Sequence, residues 1–178
     1  MKNVIICGDH SDRILTKTIV SACANYGGAL VLDGTRIFET SASSEFVILG
    51  VNSLSGISCG GVFVMGEALC QLPPEISLGG VIPVVDTDNT DALAFLRGSR
   101  KPVVGCSMSG RDTVNLTCVS GSKKLVGVQR SITTLGGKVI EPCEICLYTD
   151  NDLPVFPVLA AFCVLLLSDV PFENGYRI

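Results

Sequence analysis

The sequence predicts an α/β fold, a three-layer, mainly parallel sheet with an antiparallel C-terminal edge, and three observations carry the prediction. Val4 to Cys7, Phe46 to Val51 and Val81 to Val85 are continuous apolar runs of the kind that a parallel sheet buries on both faces. Up to about residue 100 such runs alternate with helical patterns, the signature of strands connected by crossover helices. From Pro102 to Leu147 strands instead follow one another. Turn signals at Ser120-Gly121 and Gly136-Gly137 imply an antiparallel meander or hairpin attached to the sheet edge.

The elements follow in order. Asn3 to Cys7 reads as a short buried strand, Gly8 opens a polar turn, and Ile14, Ile19, Val20 and Cys23 then recur at helical spacing within Ser11 to Tyr26. Strands are expected at Ala29 to Leu32, Phe46 to Val51, Gly61 to Met65 and Val81 to Val85, with a short helix at Glu67 to Leu72. The helix Thr90 to Arg97 is the most legible small element. Thr90 can cap it, Asp91 suits its positive N-terminus, Leu93, Ala94 and Leu96 form its apolar face, and Gly98 closes it. Pro102 to Gly105, Asn115 to Val119, Lys124 to Gln129 and Val139 to Leu147 supply the later strands, and Pro154 to Leu167 a buried helix.

Composition narrows the function classes. A chain of 178 residues with 47% hydrophobic residues fits one domain spanning 1–178 with ample core. The formal net charge is -4 and the thirteen Lys and Arg are scattered, so the concentrated basic face that nucleic acid demands is missing. Asp9 and Asp12 interrupt the chain start before any secretory leader could form, which points to the cytoplasm. The apolar run Leu153 to Leu167 contains Pro154 and Pro157 and falls short of the roughly 20 residues a bilayer helix needs, so no membrane partner is expected. Nine cysteines, an odd number, several of them inside apolar runs such as Cys7, Cys23 and Cys163, read as reduced core thiols. Cys143 and Cys146 have C-x-x-C spacing, but no second ligand pair accompanies them and His10 is the only histidine, so strand packing outweighs a metal site. Strand alternation puts Cys143 and Ile145 on one face and Glu144 and Cys146 on the other.

The first seventeen residues have the layout of a phosphate-binding strand, loop and helix without the residues that grip phosphate. Such a loop needs several glycines to bring backbone amides onto phosphate oxygens, a lysine for charge, and a Ser or Thr for magnesium. Here Gly8 is the only glycine before Gly27, and Asp12 stands where the lysine is wanted, beside which a triphosphate would be repelled. The candidate ligand-binding residues are therefore Gly8, Asp9, His10, Ser11 and Arg13, joined at a neighbouring strand end by Asp86, Asp88 and Asn89. For Asp86 and Asp88, helix capping and turn solvation are the commoner roles of a D-x-D-N-T sequence. Gly105-Cys106-Ser107-Met108-Ser109-Gly110 approaches a nucleophile elbow, but a serine stands at its second glycine and His10 precedes it, which argues against a serine hydrolase.

Read end to end, this order resembles the central ATP-binding domain of the Mur ligase superfamily, which includes the enzymes that add amino acids to the UDP-muramoyl peptide of cell walls, together with folylpolyglutamate and cyanophycin synthetases. Its strand, G-T-x-G-K-[ST]-[ST] loop and helix align with Gly8-Asp9-His10-Ser11-Asp12-Arg13-Ile14, and its T-x-D-G-like element with Asp33-Gly34. The V-x-E-V-S-S strand aligns with VILGVNSL, placing Gly50 at the glutamate, and the T-N-x-x-x-D-H-L strand end with GVFVMGEAL, which lacks both the asparagine and the histidine. The N-x-D-D-P segment corresponds to Asp86 to Thr90, and the H-N-x-x-N-x-L-A-A helix start to Leu153 to Ala161, with both asparagines replaced by proline.

This resemblance implies a Rossmann-like/P-loop-like sheet and a degenerate, stand-alone central domain. The family's lysine becomes Asp12, its magnesium-binding glutamate becomes Gly50, and no lysine between Lys17 and Lys101 can serve as its carbamylated lysine. The expectation is a pseudoenzyme, with no catalytic residue, metal or cofactor, in a regulatory or partner-binding role linked to cell-wall precursor metabolism. Its partner would be another protein or a second copy of the chain, and the family's substrate and C-terminal domains are expected to be absent. One alternative is a weak binder of a nucleotide or UDP-sugar; another is an enzyme of unrecognised chemistry acting on a small phosphorylated substrate. Gly8-Asp9-His10 also resembles the start of B-type ribose-5-phosphate isomerases, whose C-G-T-G-I-G loop is not matched by Ser58-Cys59-Gly60-Gly61.

Overall fold

Apolar side chains that alternate to both faces of a strand can all be buried only if that strand lies inside a sheet covered on both sides, and the first strand satisfies this condition. The computed structural model describes residues 1–8, 13–34, 36–66, 76–149 and 152–178. In chain order the strands are β1 (Lys2–Cys7), β2 (Ala29–Asp33), β3 (Arg36–Glu39), β4 (Phe46–Val51), β5 (Gly60–Met65), β6 (Gly80–Asp86), β7 (Val104–Ser107), β8 (Val114–Ser120), β9 (Lys123–Val128), β10 (Ile132–Thr133), β11 (Val139–Ile140), β12 (Cys143–Tyr148) and β13 (Tyr176–Arg177). The helices are α1 (Arg13–Asn25), α2 (Thr90–Arg97) and α3 (Val155–Leu167). Among the described residues eleven strands form one sheet in the order β13-β12-β9-β8-β7-β6-β5-β1-β4-β2-β3, and β10 and β11 form a separate ladder.

β1 lies inside the sheet and is parallel to both neighbours, with Val4 beside Ile48 of β4 and Val62 of β5. Val4 and Ile6 face a core shared with α1 and α3, while Ile5 and Cys7 face a second core shared with Ala92 and Leu96 of α2. Helices thus cover both faces, and the α/β, mainly parallel architecture with an antiparallel C-terminal edge is the one the sequence predicts.

The details differ at several points. Within residues 102–147 the ladder stays parallel through β6-β7 and β7-β8 and turns antiparallel only at β8-β9 and β9-β12. The expected single strand Val139 to Leu147 is two strands, because Pro142 has no N–H to donate and its fixed φ ends one ladder before the next begins. β3 gives the sheet a second antiparallel margin, since Asp33-Gly34 turns β2 back on itself with Gly34 at φ +57°. The cap of α2 is Asn89 rather than Thr90: its side-chain carbonyl accepts from the Ala92 amide at 3.0 Å. The expected helix Glu67 to Leu72 lies outside the described residues.

α3 is buried from Phe156 to Leu167, and this explains an apolar sequence with no polar stripe: α1 covers one side, the sheet another. Its far end is held by polar contacts. Asp169 accepts from the Thr134 hydroxyl at 2.6 Å and the Gly136 amide at 2.8 Å, and Tyr176, edge-on to Tyr26 and Phe162, donates to the Val170 carbonyl at 2.7 Å. All described cysteines are free; Cys106 of β7 and Cys163 of α3 meet in the core with their sulfurs 3.5 Å apart. Cys143 and Cys146 are half-buried on β12, and no metal-holding cluster occurs among the described residues. Among those residues no helix is long and apolar enough to cross a membrane.

At Gly61 β5 leaves no room for a side chain beside β1. This glycine adopts φ +153°, and a Cβ there would lie 2.4 Å from the Asn3 carbonyl oxygen, a backbone atom that cannot move aside. Gly61→Ala should therefore lower stability by about 2 kcal/mol or more in chemical denaturation, a large effect for one methyl group. A loss no larger than that of an ordinary surface substitution would show that β1 and β5 can separate at this point.

Candidate functional site

α1 has two faces. Leu15, Thr18, Ile19, Ala22 and Cys23 are buried in the core, whereas Arg13, Thr16, Lys17, Val20 and Ser21, spaced as one helical stripe, line a cleft of about 720 Å³. The opposite wall is the β2–β3 hairpin, which contributes Val31, Asp33, Gly34, Arg36 and Phe38. Register explains the grouping: Val31 pairs with Phe38 and Asp33 with Arg36, so all four side chains point to the same side of the sheet. Ile6 and Gly8 of the first strand and loop and Gly50 and Val51 of β4 complete the lining at the carboxyl ends of the strands.

Charge is unevenly distributed here. The chain as a whole carries -4, yet the described lining holds three cations, Arg13, Lys17 and Arg36, against the single carboxylate of Asp33. Arg36 donates to Asp33 at 2.9 Å, and both partners keep contact with solvent. Arg13 and Lys17 are exposed and have no ion pair among the described residues. Gly50 leaves the space that Asp33 occupies, since a Cβ on it would lie 3.1 Å from the Asp33 carboxylate oxygen. The Gly8 amide donates to the Val51 carbonyl of β4 at 3.1 Å, so it extends the β1–β4 ladder and is already engaged.

The residues singled out in the sequence fall into two groups on the same sheet edge. Gly8 and Arg13 line the cleft. Asp86, Asp88 and Asn89 stand at the carboxyl end of β6, separated from β1 by β5, and are not among the cleft's lining residues. Asp9, His10 and Ser11, like Asp12, lie outside the described residues. At β6 the side chains serve the turn: the Asp86 carboxylate accepts from the Asp88 amide at 2.9 Å, and the Asn89 amide nitrogen donates to the Gly66 carbonyl at 3.0 Å, joining the ends of β5 and β6. Nearby, the Ser107 hydroxyl donates to Asp112 and accepts from the Ser109 amide, and it too is engaged in a turn. Partial burial holds the Asp86 carboxyl above its ordinary value of 3.8; the Asp88 N–H works against that rise, and the Asp88 and Asp112 carboxylates add to it.

Lys17, Arg36 and Phe38 were not singled out from the sequence as site residues. Two signals could have found them: Arg13 and Lys17 lie four apart on a helix with no acidic residue in its first turn, and the Asp-Gly pair in LVLDGTRIF marks a hairpin that carries Arg36 and Phe38 back beside β2.

The chain is similar to a solved structure of UDP-N-acetylmuramoyl-L-alanyl-D-glutamate--2,6-diaminopimelate ligase, with a TM-score of 0.57 and 9% sequence identity over 95% of this chain. The fold is Mur-ligase-like. At that identity the likeness is one of fold alone, and the chain spans 43% of the ligase's length, less than half. No family model matches the sequence, and neither does any curated protein. On this Mur-ligase-like sheet the cleft beside α1 and the acidic turn after β6 both occupy the carboxyl edge, where open α/β sheets gather their ligands.

The raised Asp86 gives a test of that acidic turn. Folding disfavours its ionised form, so its contribution to stability is fully present below the ordinary aspartate value and is lost as pH rises through the raised one. Asp86→Asn keeps an acceptor for the Asp88 amide and cannot ionise. It should melt above the wild type at pH 7, with the two melting temperatures converging as pH falls below 3.8. A variant that melts lower at neutral pH would mean that the Asp86 charge is stabilised by a partner.

Proposed function

We propose that this Mur-ligase-like chain acts by binding and not by turnover, as a non-catalytic protein with a regulatory or partner-binding role in cell-wall precursor metabolism. One observation carries the reading. The carboxyl edge keeps a cleft of ligand size, yet where the resemblance to the ligases would put a metal-binding glutamate and a phosphate-gripping loop the chain has Gly50, which has no side chain, and Gly8, whose amide is bonded to Val51 of β4. Phosphoryl transfer depends on positioned cations that neutralise the phosphate charge, and the sequence has Asp12 where the resemblance calls for a lysine.

On this reading the residues that the sequence offers for binding, Gly8, Asp9, His10, Ser11, Arg13, Asp86, Asp88 and Asn89, carry no catalytic role. A second reading, that the ligand is a nucleotide or UDP-sugar, is favoured by the cationic lining of the cleft. The purified chain incubated with magnesium and ATP should release no phosphate above the uncatalysed background, with or without a UDP-muramoyl acceptor. Magnesium-dependent release that disappears when residues 8–13 are altered would overturn the non-catalytic reading.

A further inference from the structure

Arg13 and Lys17 sit where helix electrostatics gives them no support. Arg13 opens α1, at the end where the helix dipole favours an acid, and Lys17 follows one turn later as a like charge on the same stripe, with no acidic residue in that first turn. α2 of the same chain follows the ordinary rule, with Asp91 in its first turn and Arg97 in its last. The two unpartnered cations of α1 face a third, Arg36, across a cleft whose remaining walls include apolar Val20, Val31 and Phe38, the last of which is 42% exposed. Cations from two different elements converge on one concave surface beside an open aromatic ring, and nothing among the described residues neutralises the two on the helix.

We propose that this cleft is a binding site for a small phosphomonoester: Arg13 and Lys17 take the phosphate, and the ring that carries it is covered by Val20 and Phe38. The lining has a surplus of two positive charges among the described residues, which matches the double charge of a phosphomonoester and is less than a triphosphate carries. The volume of about 720 Å³ is that of a small-molecule site, large enough for a ring together with its phosphate. The anchor is a helix face and a hairpin. It makes no use of the Gly8 amide, which is already bonded to Val51. This inference rests on the proposed binding role only in expecting no turnover, and the ATP-hydrolysis assay tests that part separately.

Calorimetric titration of the full chain with uridine monophosphate, adenosine monophosphate, glucose 1-phosphate and inorganic phosphate tests the site and separates nucleotide from sugar phosphate. At least one ring-bearing phosphate should bind, and its affinity should fall as salt rises. Lys17→Glu should weaken that binding at least about tenfold while leaving the ligand-free melting temperature unchanged or higher, because it relieves the repulsion with Arg13. Lys17→Gln should give a smaller loss in the same direction. Phe38→Ala should weaken the ring-bearing phosphate and leave inorganic phosphate unaffected. Absence of binding by all four compounds at millimolar concentration overturns the proposal, and so does binding that survives Lys17→Glu unchanged in a folded protein.

Discussion

The burial of β1 on both faces and along both edges is the constraint on which the rest of this structure depends. With β4 on one side and β5 on the other, every backbone group of Val4 to Cys7 that a ladder can use is committed, and the alternating side chains demand an apolar layer above and another below. α1 and α3 supply one layer and α2 lies in the other. α1 packs on the face shared with α3, and its exposed stripe meets the β2–β3 hairpin.

The same geometry divides the carboxyl edge into two environments of opposite charge. Beside α1 the strands end under Arg13, Lys17 and Arg36; past β5, they end at Asp86, Asp88 and Asp112. The acidic side is spent on its own turns, with the Asp86 carboxylate and both ends of the Asn89 side chain bonded to backbone groups. The cationic side is not. Arg13 and Lys17 oppose the dipole of their own helix and each other, a local conflict of the kind that folded proteins tolerate mainly where function requires it. On this Mur-ligase-like sheet the exposed cations therefore gather on one side of the carboxyl edge, beside α1 and the β2–β3 hairpin.

By itself the sequence determined the parts of this protein that depend on near neighbours in the chain. The two-sided apolar runs required a parallel sheet with β1 inside it, and the wholly apolar Phe156 to Leu167 had to be a buried helix. D-N-T-D marked the start of α2, although the capping atom came from Asn89, one residue earlier than expected, because its side chain reaches both the Ala92 amide and the Gly66 carbonyl. The break between β11 and β12 at Pro142 and the hairpin at Asp33-Gly34 also rest on local chemistry, but the longer apolar pattern around each hides them in the sequence. Tertiary structure alone decided the cleft. Arg13 and Lys17 are close in sequence to each other but not to Arg36 and Phe38, and what brings them together is the insertion of β4 between β1 and β2, which sets the hairpin two strands from β1 and opposite the exposed stripe of α1. Strand order is fixed by which buried surfaces fit against which, a property of the whole core that no local pattern of residues encodes.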